Sequence, residues 1–178
     1  MLVHGTHQRS LWPAPARDAL FVIDQRQLPH RVVVERLSDV RSVFTAIRDM
    51  WVRGAPLIGA TAAYGLALQA GCDASDEALT SAHAQLAAAR PTAVNLAWAL
   101  QRMAQHLLAL PPAQRAASAW QEAAAIADED VLTNQAIGEH GAGLIADLAA
   151  RHGRRINLLT HCNAGWLATV DWGTALAP

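Results

Sequence analysis

Residues 156–177 read INLLTHCNAGWLATVDWGTALA. The apolar, β-leaning run at 156–160 predicts a strand, Ala164-Gly165 breaks it, and Trp166-Leu167-Ala168-Thr169 predicts the start of a helix. A strand ending in such a turn is the form found in open α/β sheets, so the stretch predicts the opening strand and turn of a second domain. Cys162 then stands at the strand's C-terminal mouth, where such sheets bind ligands and where a helix start would lend N–H groups to an anion or a thiolate. Two readings of Cys162 follow: a reactive thiol, or a small side chain that simply packs.

Working back toward the N-terminus, residues 151–155 form a polar, glycine-containing hinge and the best candidate boundary between domains. Before it, residues 113–150 are nearly continuous helix-former, with a break expected near Asn134 or Gly138 and with Leu144, Ile145 and Leu148 on the inner face. Gly138, Gly141 and Gly143 lack both a preceding strand and a nucleotide-loop spacing, so they are assigned to helix packing. Thr92 is expected to cap a helix with the stripe Leu96, Leu100, Met103, Leu107 and Leu110. Ser75 caps another, with Leu79, Ala82 and Leu86 inside and an end near Arg90, because Pro91 disfavours helical geometry in the residue before it.

Residues 55–70 are the most apolar window and predict a buried core helix from Pro56 to about Ala70, being shorter than the roughly 20 apolar residues a membrane span needs. Pro56 suits a first helical position. The opening, with Arg53, Gly54 and Ala55 beside it, has the makings of a phosphate seat. The alternative is that Gly54, Gly59 and Gly65 only permit close helix packing. Arg90 stands before the next helix opening as Arg53 stands before the first; alone it reads as a solvated charge at a helix end. Val40, Val43, Phe44, Ile47, Met50 and Trp51 follow the cap Ser38-Asp39 at helical spacing and predict one apolar stripe. Residues 20–24 and 31–37 predict a hairpin across a turn holding Pro29. Residues 1–17, with His4, His7, Pro13 and Pro15 and no periodicity, predict a mobile tail in which a metal would be caught only by accident.

The expected fold is therefore α+β: a tail at 1–17, a mainly helical N-terminal domain at 18–150 with a small antiparallel β-hairpin, and at 151–178 the first strand and turn of a second domain, which the resemblance given below makes a truncated Rossmann-like α/β domain. A strand at 156–160 has no sheet partner in the chain, so the final segment is expected to be mobile, mispaired or completed by further chain. Composition agrees with a globular protein, at 52% hydrophobic and 16% charged residues. A formal net charge of −1, with 14 basic residues that are all Arg, gives no footprint for nucleic acid or an anionic membrane. Cys72 and Cys162 lie 90 positions apart and form no metal-type spacing. No metal or other cofactor is expected, and the absence of a signal-peptide pattern points to the cytoplasm.

Three segments carry a resemblance. THCNAGWLATVDWGTALAP at 160–178, Arg53-Gly54-Ala55-Pro56, and Arg90-Pro91-Thr92-Ala93-Val94-Asn95-Leu96 resemble, in the same order, the N-terminal signatures of the S-methyl-5-thioribose-1-phosphate isomerases of methionine salvage. The similarity runs from about Leu11 to Pro178. It implies an aldose–ketose isomerase converting 5-methylthioribose 1-phosphate to 5-methylthioribulose 1-phosphate, with no cofactor. By that resemblance Arg53, Gly54, Ala55 and Arg90 are substrate-binding positions, and Cys162 is the catalytic cysteine that stabilises the transition state or transfers a proton. Family members continue through a further domain that carries an acidic proton donor and commonly makes them homodimers. The chain is thus expected to be an N-terminal half with little activity alone. Ribose-1,5-bisphosphate isomerases share the fold and a similar cysteine, but the Gly-Trp-Leu-Ala-Thr continuation favours the methylthioribose enzymes. The regulatory subunits of eukaryotic translation initiation factor two B share the architecture without the Thr-His-Cys-Asn-Ala-Gly wording, and they supply a non-catalytic alternative.

Overall fold

The computed structural model describes residues 2–3 and 5–178. A long apolar segment sets the architecture. Helix α2, Ala55–Cys72, is buried on nearly every face, because its small residues alternate with Leu, Ile and Tyr and none is charged. Around it pack α1 (Val40–Arg48), α3 (Asp76–Ala87), α4 (Val94–Leu108) and the first half of α5 (Pro112–His152). The expected core helix at 56–70 is this central rod, and Gly65 lets Val43 of α1 and Leu86 of α3 approach it closely.

The outer helices are amphipathic, as their spacing predicts. Val40, Val43, Ala46 and Ile47 face inward from α1, whose start is a capping box in which Asp39 accepts from the Ser42 N–H at 2.7 Å. Leu79, Ala82 and Leu86 do so from α3, and Leu96, Leu100, Met103 and Leu107 from α4. Met50 does not join the α1 stripe: the chain turns after α1 through a left-handed Met50, φ 59°, which leaves its side chain exposed. Helix α5 runs unbroken for 41 residues, about 60 Å. Asn134 causes no break because its amide bonds back to the Asp130 carbonyl one turn earlier. Gly138 and Gly141 pack against Ala177 and Pro178 rather than against another helix. The expected inner face at Leu144, Ile145 and Leu148 is not internal, since α5 projects there beyond the helices that would cover it, leaving Leu144 and Leu148 exposed.

The sheet is small and antiparallel. Strands β3 (Leu11–Pro13), β4 (Leu20–Ile23) and β5 (Val34–Leu37) lie in that order, with Leu20 opposite both Pro13 and Leu37. The β4–β5 pair is the expected hairpin. Strands β1 (Leu2–Val3) and β2 (Thr6–His7) form a separate pair. The expected tail is thereby corrected: Leu11 and Ser10 are fully buried, because an apolar residue in register with Val22 has a core to enter. His4 lies outside the described residues, and His7 hydrogen-bonds Asp171 at 2.7 Å.

The end of the chain also departs from expectation. Residues 156–160 form no strand and are largely exposed, because no neighbouring strand among the described residues offers its N–H and C=O groups a ladder. The expected helix after Gly165 is a single 3-10 turn, Trp166–Ala168. Residues 164–173 are nonetheless fixed, with Val170 at 0% exposure and Trp166 and Ala168 buried beside it. No helix among the described residues is long and apolar enough to cross a membrane.

Candidate active site

Two helix openings stand side by side. A Cβ on Gly59, in the second turn of α2, would come within 2.8 Å of the Asn95 carbonyl in the first turn of α4, so the two N-termini converge. Neither opening is capped by a side chain: Gly54 precedes α2 and Ala93 precedes α4. The expected cap Thr92 is instead exposed in a turn, closed by the Ala93 N–H donating to the Arg90 carbonyl at 3.0 Å. First-turn N–H groups of both helices are thus left to a ligand or solvent, with the positive ends of both dipoles beside them.

The turn that presents Arg53 is anchored from below. After α1 the Trp51 and Val52 N–H groups fold back onto the Ala46 carbonyl, and Val52 is fully buried. Gly54 follows with φ +88°, and a Cβ there would overlap the backbone of Ala168. Only glycine lets the turn before α2 and the segment after Cys162 lie in contact. Gly59 and Gly65 serve the helix packing that is their alternative reading, whereas Gly54 serves the junction of two parts of the site.

Arg53, Gly54, Ala55, Arg90 and Cys162 line one cleft of about 680 Å³. The structure therefore brings these five candidate positions together, whereas His7 and Cys72 lie outside the cleft. Arg53 and Arg90 are partly exposed, and among the described residues neither guanidinium has a carboxylate partner. Arg53 Nε makes only a long contact, 3.5 Å, to the Met50 carbonyl. No Asp or Glu lines the cleft, while His161 adds a third basic side chain. Cys162 is exposed and has φ +75°, a conformation uncommon outside glycine that turns residues 160–164 along the cleft wall. The combination suits a compact anion held beside a thiol. No group of three or more His, Cys, Asp or Glu among the described residues is placed to hold a metal ion.

The residues that fix this geometry escape sequence reasoning. Ser10, Gln25 and Asp130 hydrogen-bond the segment after Cys162 through Trp166, Leu167 and Val170. Their only sequence signal is polarity beside apolar runs.

Comparison with known proteins bears on this site. Residues 51–172, which contain all five candidate positions, match the model of the initiation factor 2 subunit family. Over its whole length the chain is 60% identical to the methylthioribose-1-phosphate isomerase of Rhodospirillum rubrum, covering 47% of that protein. It superposes on the crystal structure of 5-methylthioribose 1-phosphate isomerase from Pyrococcus horikoshii with a TM-score of 0.83 and 39% identity, over 97% of this chain and 48% of that one. Translation initiation factor eIF-2B, subunit delta, from A. fulgidus gives a TM-score of 0.80 at 38% identity, over 96% and 49%. The chain spans about half the length of each of these three relatives.

Proposed function

The chain belongs to the initiation factor 2 subunit family, and from that premise we propose that its cleft is the phosphate-binding part of a methylthioribose-1-phosphate isomerase site. What carries the reading is the meeting of two uncommitted guanidinium groups, two uncapped helix openings and the Cys162 thiol on one cleft without carboxylates. A phosphomonoester carries nearly two negative charges, and each helix terminus contributes about 0.3–2 kcal/mol toward it. Arg53 and Arg90 add charge-assisted, fork-shaped hydrogen bonds.

With the phosphate so held, the sugar's C1 and C2 face Cys162. Converting 5-methylthioribose 1-phosphate to 5-methylthioribulose 1-phosphate breaks the bond between C1 and the ring oxygen. C2 passes its hydrogen to C1, and the 2-hydroxyl proton ends on the ring oxygen, so atoms balance without a cofactor. The Cys162 thiol holds or moves a proton at this centre, a role typically worth about 10²–10⁴-fold. The companion acid is no residue of the described cleft lining, so turnover requires a carboxylate brought from elsewhere. The reading carries with it a reducing, cytoplasmic setting in which Cys72 and Cys162 stay thiols.

Calorimetric titration with inorganic phosphate tests the seat. Arg53→Gln and Arg90→Gln should each weaken binding about ten- to a hundredfold, as expected for a lost hydrogen bond to a charged group. Affinity should also fall as salt rises. Unchanged affinity in both variants would remove the phosphate from this cleft. For the chemistry, the 178-residue chain should show no isomerase turnover alone. In a version carrying the remaining half, Cys162→Ser should abolish turnover and preserve phosphate binding. Preference for ribose 1,5-bisphosphate over the methylthioribose substrate would redirect the reading to that isomerase. The likeness to an eIF-2B delta subunit supports a second reading, a sugar-phosphate-binding module without catalysis. It predicts binding with no turnover in any version.

A further inference from the structure

The segment that leads from the exposed Cys162 into the core has neither a strand ladder nor a long helix to hold it. Its position comes from groups donated by distant parts of the chain. Ser10 gives its N–H to the Val170 carbonyl at 2.9 Å and its hydroxyl to the Trp166 carbonyl at 3.1 Å. Asp130 of α5 accepts from the Val170 N–H at 2.7 Å. Gln25 donates from Nε2 to the Leu167 carbonyl at 2.6 Å.

Gln25 differs from the other two in touching both walls of the cleft. Its backbone N–H donates to the Trp51 carbonyl at 2.9 Å, two residues before Arg53, while its side chain holds Leu167, five residues after Cys162. Its own place is over-determined. The neighbouring Asp24 carboxylate is buried and receives the Arg26 guanidinium at 2.8 Å, and that guanidinium lies 4.7 Å over the Trp51 ring. The side chain of Gln25 is itself buried, so its amide is shielded from competing water.

We infer that Gln25 is a positioning residue that fixes where Cys162 stands relative to the Arg53 turn, with Ser10 and Asp130 holding the same segment at Trp166 and Val170. The inference rests on the reading of the cleft as a phosphate seat beside a functional thiol. Gln25 touches no ligand in it. Losing its side-chain donor leaves each wall intact and loosens their mutual placement, so it should act on the coupling between phosphate and thiol rather than on either alone.

The test uses the Cys72→Ser background, so that Cys162 is the only thiol, with inorganic phosphate as ligand and iodoacetamide as probe. Bound phosphate puts negative charge beside the thiol and disfavours the reactive thiolate, so it should slow alkylation of Cys162 about fivefold or more in the parent. In Gln25→Met, which keeps length and apolar bulk without the donor, protection should fall below about twofold while phosphate affinity stays within about threefold. Equal protection in parent and variant would overturn the inference. Should Gln25→Met fail to fold, Gln25→Leu removes the same donor with less bulk and carries the same expectation. If phosphate does not bind the parent, the cleft reading fails and distance decides the inference. Spin labels on Cys162 itself and on Arg41→Cys, an exposed position of α1, with Cys72 replaced by Ser, should give a narrow distribution that Gln25→Met broadens. Equal widths would overturn it.

Discussion

Gly54 is the position where one atom matters most. Its backbone, φ +88° and ψ 136°, costs any other residue about 1–3 kcal/mol, and a Cβ would have to displace the Ala168 backbone, adding roughly 1–3 kcal/mol of overpacking. Gly54→Ala should therefore lower stability by at least about 2 kcal/mol in urea denaturation and weaken phosphate binding, since it parts the two walls of the cleft. Asp24 makes a different prediction. The side-chain hydrogen bond from Arg26 holds its carboxyl below 3.8, outweighing burial, which pushes the other way. Because the folded value is depressed, the contribution is fully present above pH 3.8 and is lost as pH falls from there through the lower folded value. A series of urea midpoints should show Asp24→Asn less stable by about 1–3 kcal/mol at neutral pH, with the gap closing under acid. A gap independent of pH would show that the ion pair is not its source. In the sequence Gly54 read either as part of a phosphate seat or as a helix-packing residue, and its contact with Ala168 was not legible.

Among the elements, α4 exposes a conflict between stability and site. Its N-cap is Ala93, which offers no side-chain acceptor. Ala93→Asp should therefore stabilise the helix by about 0.5–2 kcal/mol and raise the melting temperature. The same carboxylate would stand at the cleft, so phosphate affinity should fall at least about tenfold, to be read by titration beside the melting curve. A gain in stability without loss of affinity would separate this helix opening from the anion site. The periodicity of α1, α3 and α4 was legible because each has one face on α2 and another in water. The projecting half of α5 misleads the same reasoning: Leu144 and Leu148 follow a helical stripe, yet nothing described lies over them. Periodicity reports that a face is apolar, not that something covers it.

At the scale of the whole molecule, a helical body centred on α2 meets a terminal segment that is exposed at 156–163 and held from 164 to 173. Hydrogen exchange should divide at that point. Amides of 156–160, which pair with no strand, should exchange nearly as fast as an unfolded chain, while Val170, bonded to Asp130, and Thr169, bonded to Trp166, should be protected. Uniform fast exchange through 173 would show that the segment is not docked. The sequence by itself marked the five helices and the β4–β5 hairpin, because short-range periodicity, caps and turn residues leave local marks, whereas the candidate site residues stood out together only through the resemblance of their segments to a known family. Tertiary structure alone decided that Arg53, Arg90 and Cys162 share one cleft, that residues 156–160 stay unpaired, and that Ser10, Gln25 and Asp130 clamp the segment beside the thiol. Those outcomes depend on what lies opposite each backbone group once the chain has closed on itself. No residue's neighbours in sequence carry that information.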